Sequence, residues 1–386
     1  MSEDRRYELL PRGGRGEGRP VPVGIVTAID PVLRDSLVAG VMLDVDGAVE
    51  LRYAVDTGSG ALHRLVVGPA GVLEQDEVRL DHPCVSCAMR EDAVPALDRL
   101  VRDPRHRSIL LVPPISADPS IVAGSLLPGQ GAWSLEGAVA VLAASQLRHD
   151  LLDADTLAER ALQWAAEDRR SVGEALAAQI EYSGLVVADA AAADAPQAVE
   201  VEAGLELLEH LRAPEQRLAT SLHSVSASDV LGHGLDHAGG LRRSDPLSVE
   251  PYGGPVDCGT WTLDLCSDRP FHPQRFLDSV EALGAGRVRG RGRFWVPDRP
   301  GTVCQWDGAG GQVSIGVAAD SGRDLPTTRM VVTGVEAADP LRIRAAFERS
   351  LFTAEEWSLG LVGWLGCEDL LAPWLGERGA GGRRAA

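Results

Sequence analysis

From residue 21 to residue 211, short apolar runs alternate with segments of helical spacing, and few architectures accept that alternation. Strands are expected over residues 21–27, 42–45, 51–55, 65–67, 72–80, 109–112, 138–142 and 185–188. Helices are expected from Pro31 towards Val38 and over residues 90–101, 156–164, 172–182 and 205–211. Strands interleaved with helices make a parallel sheet with crossover helices on both faces. Residues 232–255 are glycine-rich, polar and without period, and read as a linker. Beyond them the texture changes. Strands over 260–265, 289–296, 303–306, 313–317 and 330–334, with helices over 273–283 and 341–351, predict a smaller α+β domain with an antiparallel sheet. The tryptophan-rich residues 357–374 are expected to pack back as a helix. The expected organisation is a flexible leader (1–20), an α/β domain (21–231), a linker (232–255), an α+β domain (256–378) and a disordered tail (379–386).

Charge and cysteine content narrow the setting. The formal charge is −19, from 37 basic and 56 acidic residues, and every basic residue is arginine. An acidic surface repels DNA and favours basic partners. No apolar run approaches the ~20 residues of a membrane span. Six cysteines are too sparse for a disulfide framework, which places the chain in the reducing cytoplasm.

Two stretches carry chemistry in their spacing. The first is Cys84-Val85-Ser86-Cys87-Ala88-Met89-Arg90-Glu91-Asp92. The second is Gly292-Arg293-Phe294-Trp295-Val296-Pro297-Asp298-Arg299-Pro300, followed by Trp306 and Gly310-Gly311, with Ala117-Asp118-Pro119 between the two stretches. Taken in order, they resemble the C-x-C-C-x-x-R-x-D, A-D-P and G-x-[FL]-W-L-A-x-R-P motifs of the CobW-type P-loop GTPases and their C-terminal domain. The finer pattern is C-V-S-C, then Arg269-Pro270-Phe271-His272-Pro273 and Arg289 to Trp295. It is similar to an actinobacterial subfamily, often called GTPases, that recruits a ribosome hibernation factor. The resemblance implies a degenerate P-loop-like domain joined to a CobW C-terminal domain. It also implies a protein made under zinc limitation, with the ribosome or a hibernation-promoting factor as partner.

A P-loop cradles phosphates on glycine backbone, with a Lys on the phosphates and a Ser/Thr on magnesium. The segment after the first strand reads Thr27-Ala28-Ile29-Asp30-Pro31-Val32-Leu33-Arg34-Asp35-Ser36. Ala28, Pro31, Arg34 and Ser36 mark a degenerate nucleotide site: Pro31 lacks a donor, and Arg34 replaces a compact ammonium. The family's E-T-T-G falls on Val112-Pro113-Pro114-Ile115, and its N-K-x-D on Asp189-Ala190-Ala191-Ala192. No family-type GTP hydrolysis is expected.

Cys84, Cys87 and His82 have ligand-like spacing, although two thiolates make half of a four-ligand zinc shell and ordinary thiols at a helix start share that spacing. Zinc, held weakly, is the one cofactor these residues admit. His223, His233 and His237, with Asp229 and Asp236, offer a second zinc-accepting arrangement, but the surrounding glycines favour a solvated linker. Arg287, Arg289, Arg291 and Arg293 alternate along one strand, putting four guanidiniums on one face. Such a stripe fits contact with phosphate or an acidic partner; an edge strand guarded by charge gives the same pattern. His272 reads as a capping or packing residue and Trp295 and Trp306 as core, while Trp357, Trp364 and Trp374 are candidates for a docking surface. The leading functional expectation is a non-catalytic adaptor for ribosome hibernation. The alternatives are a zinc-handling CobW-type GTPase and a passive zinc store.

Overall fold

A computed structural model describes residues 19–56, 61–80, 84–165, 167–320, 326–364 and 366–378. The expected tail, the leader up to residue 18, and His82 lie outside them. The first sheet contains β1 (Val21–Ala28), β2 (Ala48–Val55), β3 (Leu62–Gly68), β4 (Gly71–Val78), β5 (Ser108–Val112), β6 (Trp133–Ala143), β7 (Leu185–Asp189) and β8 (Arg217–Ala219). Its order is β4-β3-β2-β5-β1-β6-β7-β8. The strands from β2 to β8 pair in parallel, and β3 and β4 add an antiparallel hairpin at one edge.

The helices of this half are α1 (Pro31–Asp44), α2 (Val85–Ala88), α3 (Val94–Leu100), α4 (Pro119–Leu126), α5 (Leu147–Leu152), α6 (Val172–Tyr182), α7 (Ala195–Leu211), α8 (Ala227–Leu231) and α9 (His237–Ser244). A π-helical segment, Met89–Ala93, joins α2 to α3. Side chains of β1 alternate as a sheet covered on both faces requires. Val21, Val23 and Ile25 enter one core with Leu97 and Trp133, while Val26 and Ala28 enter another with Leu37, Val41 and Val230.

The second sheet holds β9 (Trp261–Ser267), β10 (Val288–Phe294), β11 (Thr302–Ala309), β12 (Gln312–Asp320) and β13 (Thr328–Gly334) in the antiparallel order β12-β11-β10-β13-β9. Helices α10 (Pro273–Leu277), α11 (Val280–Gly284) and α12 (Asp339–Ser350) close its core, where Phe271 stacks on Phe276 at 5.2 Å and Phe294, Trp306 and Phe347 are buried beside them. Among the described residues, no helix is long and apolar enough to cross a membrane.

The structure differs most from expectation in four places, besides the split of the expected helix 273–283 into α10 and α11. Residues 42–45 are not a strand: α1 runs through Asp44, and its buried Leu37, Val38 and Val41 form a helical stripe that an apolar count alone mistakes for strand. Residues 156–164 are not a helix. The amide and hydroxyl of Thr156 both donate to the Glu159 carboxylate, closing a tight turn, and Ala161 adopts φ 53°. The expected linker contains α9, capped by Asp236, whose carboxylate accepts the Gly239 amide at 2.8 Å. A Cβ at Gly240 would lie 2.7 Å from the Tyr182 ring, so the glycine marks a close approach and not a flexible joint. The tryptophan-rich stretch forms α13 (Ala354–Ser358), a turn at Val362–Trp364 and α14 (Ala372–Leu375) instead of one helix.

The two halves dock through the tip of the β11–β12 hairpin. The Gly310 amide donates to the Leu151 carbonyl at 3.0 Å, and the Ser171 hydroxyl to the Ala309 carbonyl at 3.0 Å. A Cβ at Gly173 would sit 2.3 Å from the Leu151 oxygen and 2.8 Å from the Gly310 nitrogen, both backbone atoms unable to yield cheaply. Gly173→Ala is therefore expected to cost about 1–3 kcal/mol in urea denaturation, the usual scale of overpacking. An unchanged midpoint and slope contradict the docking.

Candidate functional site

In an open parallel sheet, ligands bind beyond the carboxyl ends of the strands where the strand order reverses. Here that place is the end of β1, because the chain leaves β1 for β2 on one side and passes from β5 to β6 on the other. Only Ile29 and Asp30 connect β1 to α1, leaving no loop long enough to wrap a phosphate chain. Asp30 occupies the helix N-cap, and its Oδ1 accepts the amides of Val32 at 2.7 Å and Leu33 at 3.1 Å. Pro31 has no amide hydrogen, and the Arg34 amide donates to the Asp30 carbonyl at 3.2 Å. Every donor of the first turn is thus absent or occupied.

The other marked residues are committed as well. The Ser36 hydroxyl donates to the Val32 carbonyl at 2.7 Å. Arg34 is buried, with Nε on Asp35 at 3.0 Å and one terminal nitrogen facing the Pro113 carbonyl at 3.5 Å. Asp35 in turn binds Arg52 at 2.8 Å, and Arg52 bonds Glu50. Burial holds the Arg34 pKa below the ordinary arginine value despite Asp35. The carbonyl of Ala28 faces the side-chain amide of fully buried Gln179, which also donates to Ile115 at 3.0 Å and reaches Ala117 at 3.4 Å. Gln179 therefore ties the end of β1 to the segment after β5.

Cys84 caps α2: its Sγ accepts the Cys87 amide at 3.1 Å. The neighbouring Cys84 thiol, more than any other cause, raises the Cys87 thiol above the ordinary cysteine value. Arg90 lies 4.0 Å from the Cys87 sulfur. Asp92, the last residue of that motif, is structural: it accepts from Tyr53 at 2.5 Å and Arg64 at 2.6 Å, tying the helical segment to β2 and β3. All six cysteines are free, and no group of three or more His, Cys, Asp or Glu side chains among the described residues is arranged to hold a metal.

The histidines after residue 220 do not converge. His223 lies in an exposed turn, His233 faces Arg217 at 2.9 Å, and His237 faces the Tyr182 hydroxyl at 2.6 Å. Asp236 caps α9, and Asp229 accepts the amide of Ser226, the cap of α8. His272 caps α10, its Nδ1 3.4 Å from the Arg275 amide, and sits edge-on to Trp364 at 5.1 Å. Trp295 and Trp306 are fully buried, as expected of core residues, whereas Trp357 and Trp374 are exposed.

The arginine stripe lies in the domain interface, with its four guanidiniums satisfied within the chain. Arg287 binds Asp153 at 2.5 Å. Arg289 binds Glu181 of α6 at 2.8 Å and also Asp307. Arg291 donates to the Arg243 carbonyl at 2.8 Å, and Arg293 to the Leu247 carbonyl at 2.9 Å and to Thr327. Burial pulls the Arg289 pKa down, but the two carboxylates outweigh it and hold the charge firmly. This corrects both readings of the stripe. Arg289 and Arg291 are too buried to meet an external partner, and β10 is the central strand of its sheet, not an edge.

Sequence reasoning missed the acceptors of that interface. Glu181 lies in a mostly apolar helix and is buried. Glu206 accepts the amides of Cys258 at 2.7 Å and Thr260 at 2.8 Å, and His210 bridges Thr262 and the Pro255 carbonyl. A carboxylate on the apolar face of α6 is the available signal, because buried charge needs a partner.

Comparison with known proteins follows this geometry. Residues 260–351 match the cobalamin synthesis protein cobW C-terminal domain. The chain carries that domain. It is 24% identical over 257 residues to a zinc-regulated GTPase metalloprotein activator of Dictyostelium discoideum, covering 62% of this chain and 53% of that protein. It is 28% identical over 289 residues to a zinc chaperone of Mycobacterium tuberculosis, covering 71% of this chain and 65% of that one. The chain therefore spans about half to two thirds of the length of these curated relatives. It also aligns with the zinc-bound YjiA GTPase of E. coli at a TM-score of 0.37 and 15% identity, covering 86% of this chain and all of that one. The domain match and the relatives support placement among CobW-like proteins. The matched domain ends at Leu351, so the segment carrying α13 and α14 lies beyond it.

Removing one member of a buried ion pair strands the other, at a cost of about 3–5 kcal/mol. Glu181→Gln is expected to lose that much stability in urea denaturation. Adding Arg289→Met is expected to restore most of it. A loss under about 1 kcal/mol contradicts the assignment of Glu181 as the central interface acceptor.

Proposed function

We propose that this protein handles zinc as cargo, as a CobW-like protein that does not hydrolyse GTP. The observation that carries the second half is the two-residue connection from β1 to α1, with the Asp30 carboxylate on the amides a phosphate would need. A P-loop draws its affinity from free backbone donors and a compact cation, and neither is present at this crevice. The zinc half draws support from relatives named as a zinc-regulated GTPase metalloprotein activator and a zinc chaperone. Cys84 and Cys87 supply the matching chemistry: half-exposed, adjacent across one helical turn with the Cys87 amide on the Cys84 sulfur, and free of disulfides. Two thiolates leave coordination positions open, which suits release to another protein better than permanent retention.

Zinc handling displaces the ribosome adaptor as the leading interpretation. The arginine stripe that favoured an external acidic or phosphate partner is neutralised by Glu181, Asp307 and Asp153, which leaves the motif resemblance alone in favour of the ribosome or a hibernation-promoting factor.

Equilibrium competition against a chromogenic chelator tests the zinc reading. The full chain is expected to take one zinc per molecule. Cys84→Ser and Cys87→Ser are each expected to weaken it at least ~10-fold, a loss already seen when only outer-shell partners of a metal ligand are removed. Equal uptake by the chain and the double variant removes these thiols from zinc handling.

A further inference from the structure

A second cleft, of about 830 Å³, opens at the domain junction between the end of α7, α9 and the segment leading into β9. Its charged wall is balanced in number, Arg212, Arg242 and Arg243 against Glu209, Glu215 and Glu250, with Tyr252 beside them. A volume of that size suits a small ligand, and one of the lining charges has only distant carboxylates. A buried guanidinium ordinarily sits against a carboxylate. Elsewhere in this protein that holds: Arg34 has Asp35 at 3.0 Å, Arg289 has Glu181 at 2.8 Å, and Arg299 bonds Asp369.

Arg243 departs from this, as Arg291 does with its carboxylate at 3.6 Å. The Arg243 side chain is 4% exposed, yet its nearest carboxylates are Glu215 at 3.7 Å and Asp236 at 3.9 Å, both more than half exposed. Nε and one terminal nitrogen donate to the carbonyls of Glu181 and Tyr182 at 2.8 Å each. The other terminal nitrogen has only those two distant carboxylates. Burial accordingly lowers the Arg243 pKa, and the two carboxylates do not reverse it.

Behind the wall, two more arginines crowd Arg243. Arg291 hydrogen-bonds the Arg243 carbonyl, shares Glu181 with Arg289 at 3.6 Å and lies over the Tyr252 ring at 5.3 Å. Arg243, Arg289 and Arg291 are thus three buried cations around two contacting carboxylates, Glu181 and Asp307. Arg242, exposed at the cleft wall, has no ion pair or side-chain hydrogen bond among the described residues. Arg212 keeps one buried N–H without an acceptor, its other nitrogens being held by Glu209 and the Gln216 carbonyl.

We propose that this cleft binds a small oxyanion, a phosphate or a carboxylate, between Arg243 and Arg242 beside Tyr252. The one terminal nitrogen of Arg243 not held by a carbonyl can donate to either anion, and Arg242 on the rim supplies the second charge. Glu215 is the soft counter-ion that such a ligand displaces: it is exposed, and its loss leaves Arg243 supported by the carbonyls of α6. The site is separate from the β1 crevice and does not depend on zinc.

Calorimetric titration of the full chain at low ionic strength tests this, with inorganic phosphate in one arm and glutarate in the other. One saturable site per chain is expected for at least one anion, and the arm that titrates identifies the class. Arg242→Ala, on the exposed rim, is expected to weaken binding at least ~10-fold, the loss of a charge-assisted hydrogen bond. Glu215→Gln is expected to tighten it several-fold by removing the competing carboxylate, and it avoids altering Arg243, whose bonds to α6 support the fold. Absence of saturable binding by both anions to both the chain and Glu215→Gln overturns the proposal, as does binding that Arg242→Ala leaves unchanged.

Discussion

The contact on which the functional account depends is local: one Asp30 oxygen accepts two amides of the helix that follows it. In a phosphate-binding loop those amides face outward and the ligand supplies the negative charge. Here the chain supplies its own. A tethered carboxylate meets the helix dipole without losing the translational freedom that a bound nucleotide loses, so it competes effectively for the same donors. Proline at the next position removes one donor, and the two-residue connection removes the space. The sheet order still places a switch point at the end of β1, but the buried Gln179 side chain bridges it to the Ile115 carbonyl.

Helix α6 links that switch point to the second domain. Its N-cap, Ser171, holds the β11–β12 hairpin; Gln179 reaches the β1 crevice; Glu181 takes the buried Arg289. A short stretch of one helix is therefore anchored at three places. Movement of α6 would break a buried ion pair, which is costly in a low-dielectric interface. Two domains joined in this way behave as one body more than as parts on a flexible tether. The residues 232–255 agree, since α9 packs Gly240 against Tyr182 and buries Arg243.

Much of the fold was legible because periodicity reports burial. The alternation of β1, the helical stripe of α6 and the apolar run of β5 each follow from which faces meet the core, and Pro31 correctly announced a helix start. Failures came where a polar side chain decided the backbone. Glu159 folding back onto Thr156 turned an expected helix into a turn, and Asp236 built a helix in a glycine-rich stretch. The departures from the nucleotide motifs were legible residue by residue, because each replaced donor or cation has a named role. The destination of the arginines was not. Alternation along β10 fixed that four guanidiniums share a face, and like charges so placed require neutralisation. It could not say that the neutralising carboxylates, Glu181 and Asp153, lie more than 100 residues earlier in the same chain. His82 lies outside the described residues, so the thiol pair is defined here by Cys84 and Cys87 alone.

The most direct measurement is titration of the full chain with GTP and magnesium, followed by heat of binding in the presence and absence of zinc. With the first-turn amides of α1 occupied by Asp30, the account predicts no saturable binding up to about millimolar nucleotide, an affinity no better than about −4 kcal/mol. A stoichiometric complex of about micromolar affinity, or one formed only when zinc is added, would contradict it.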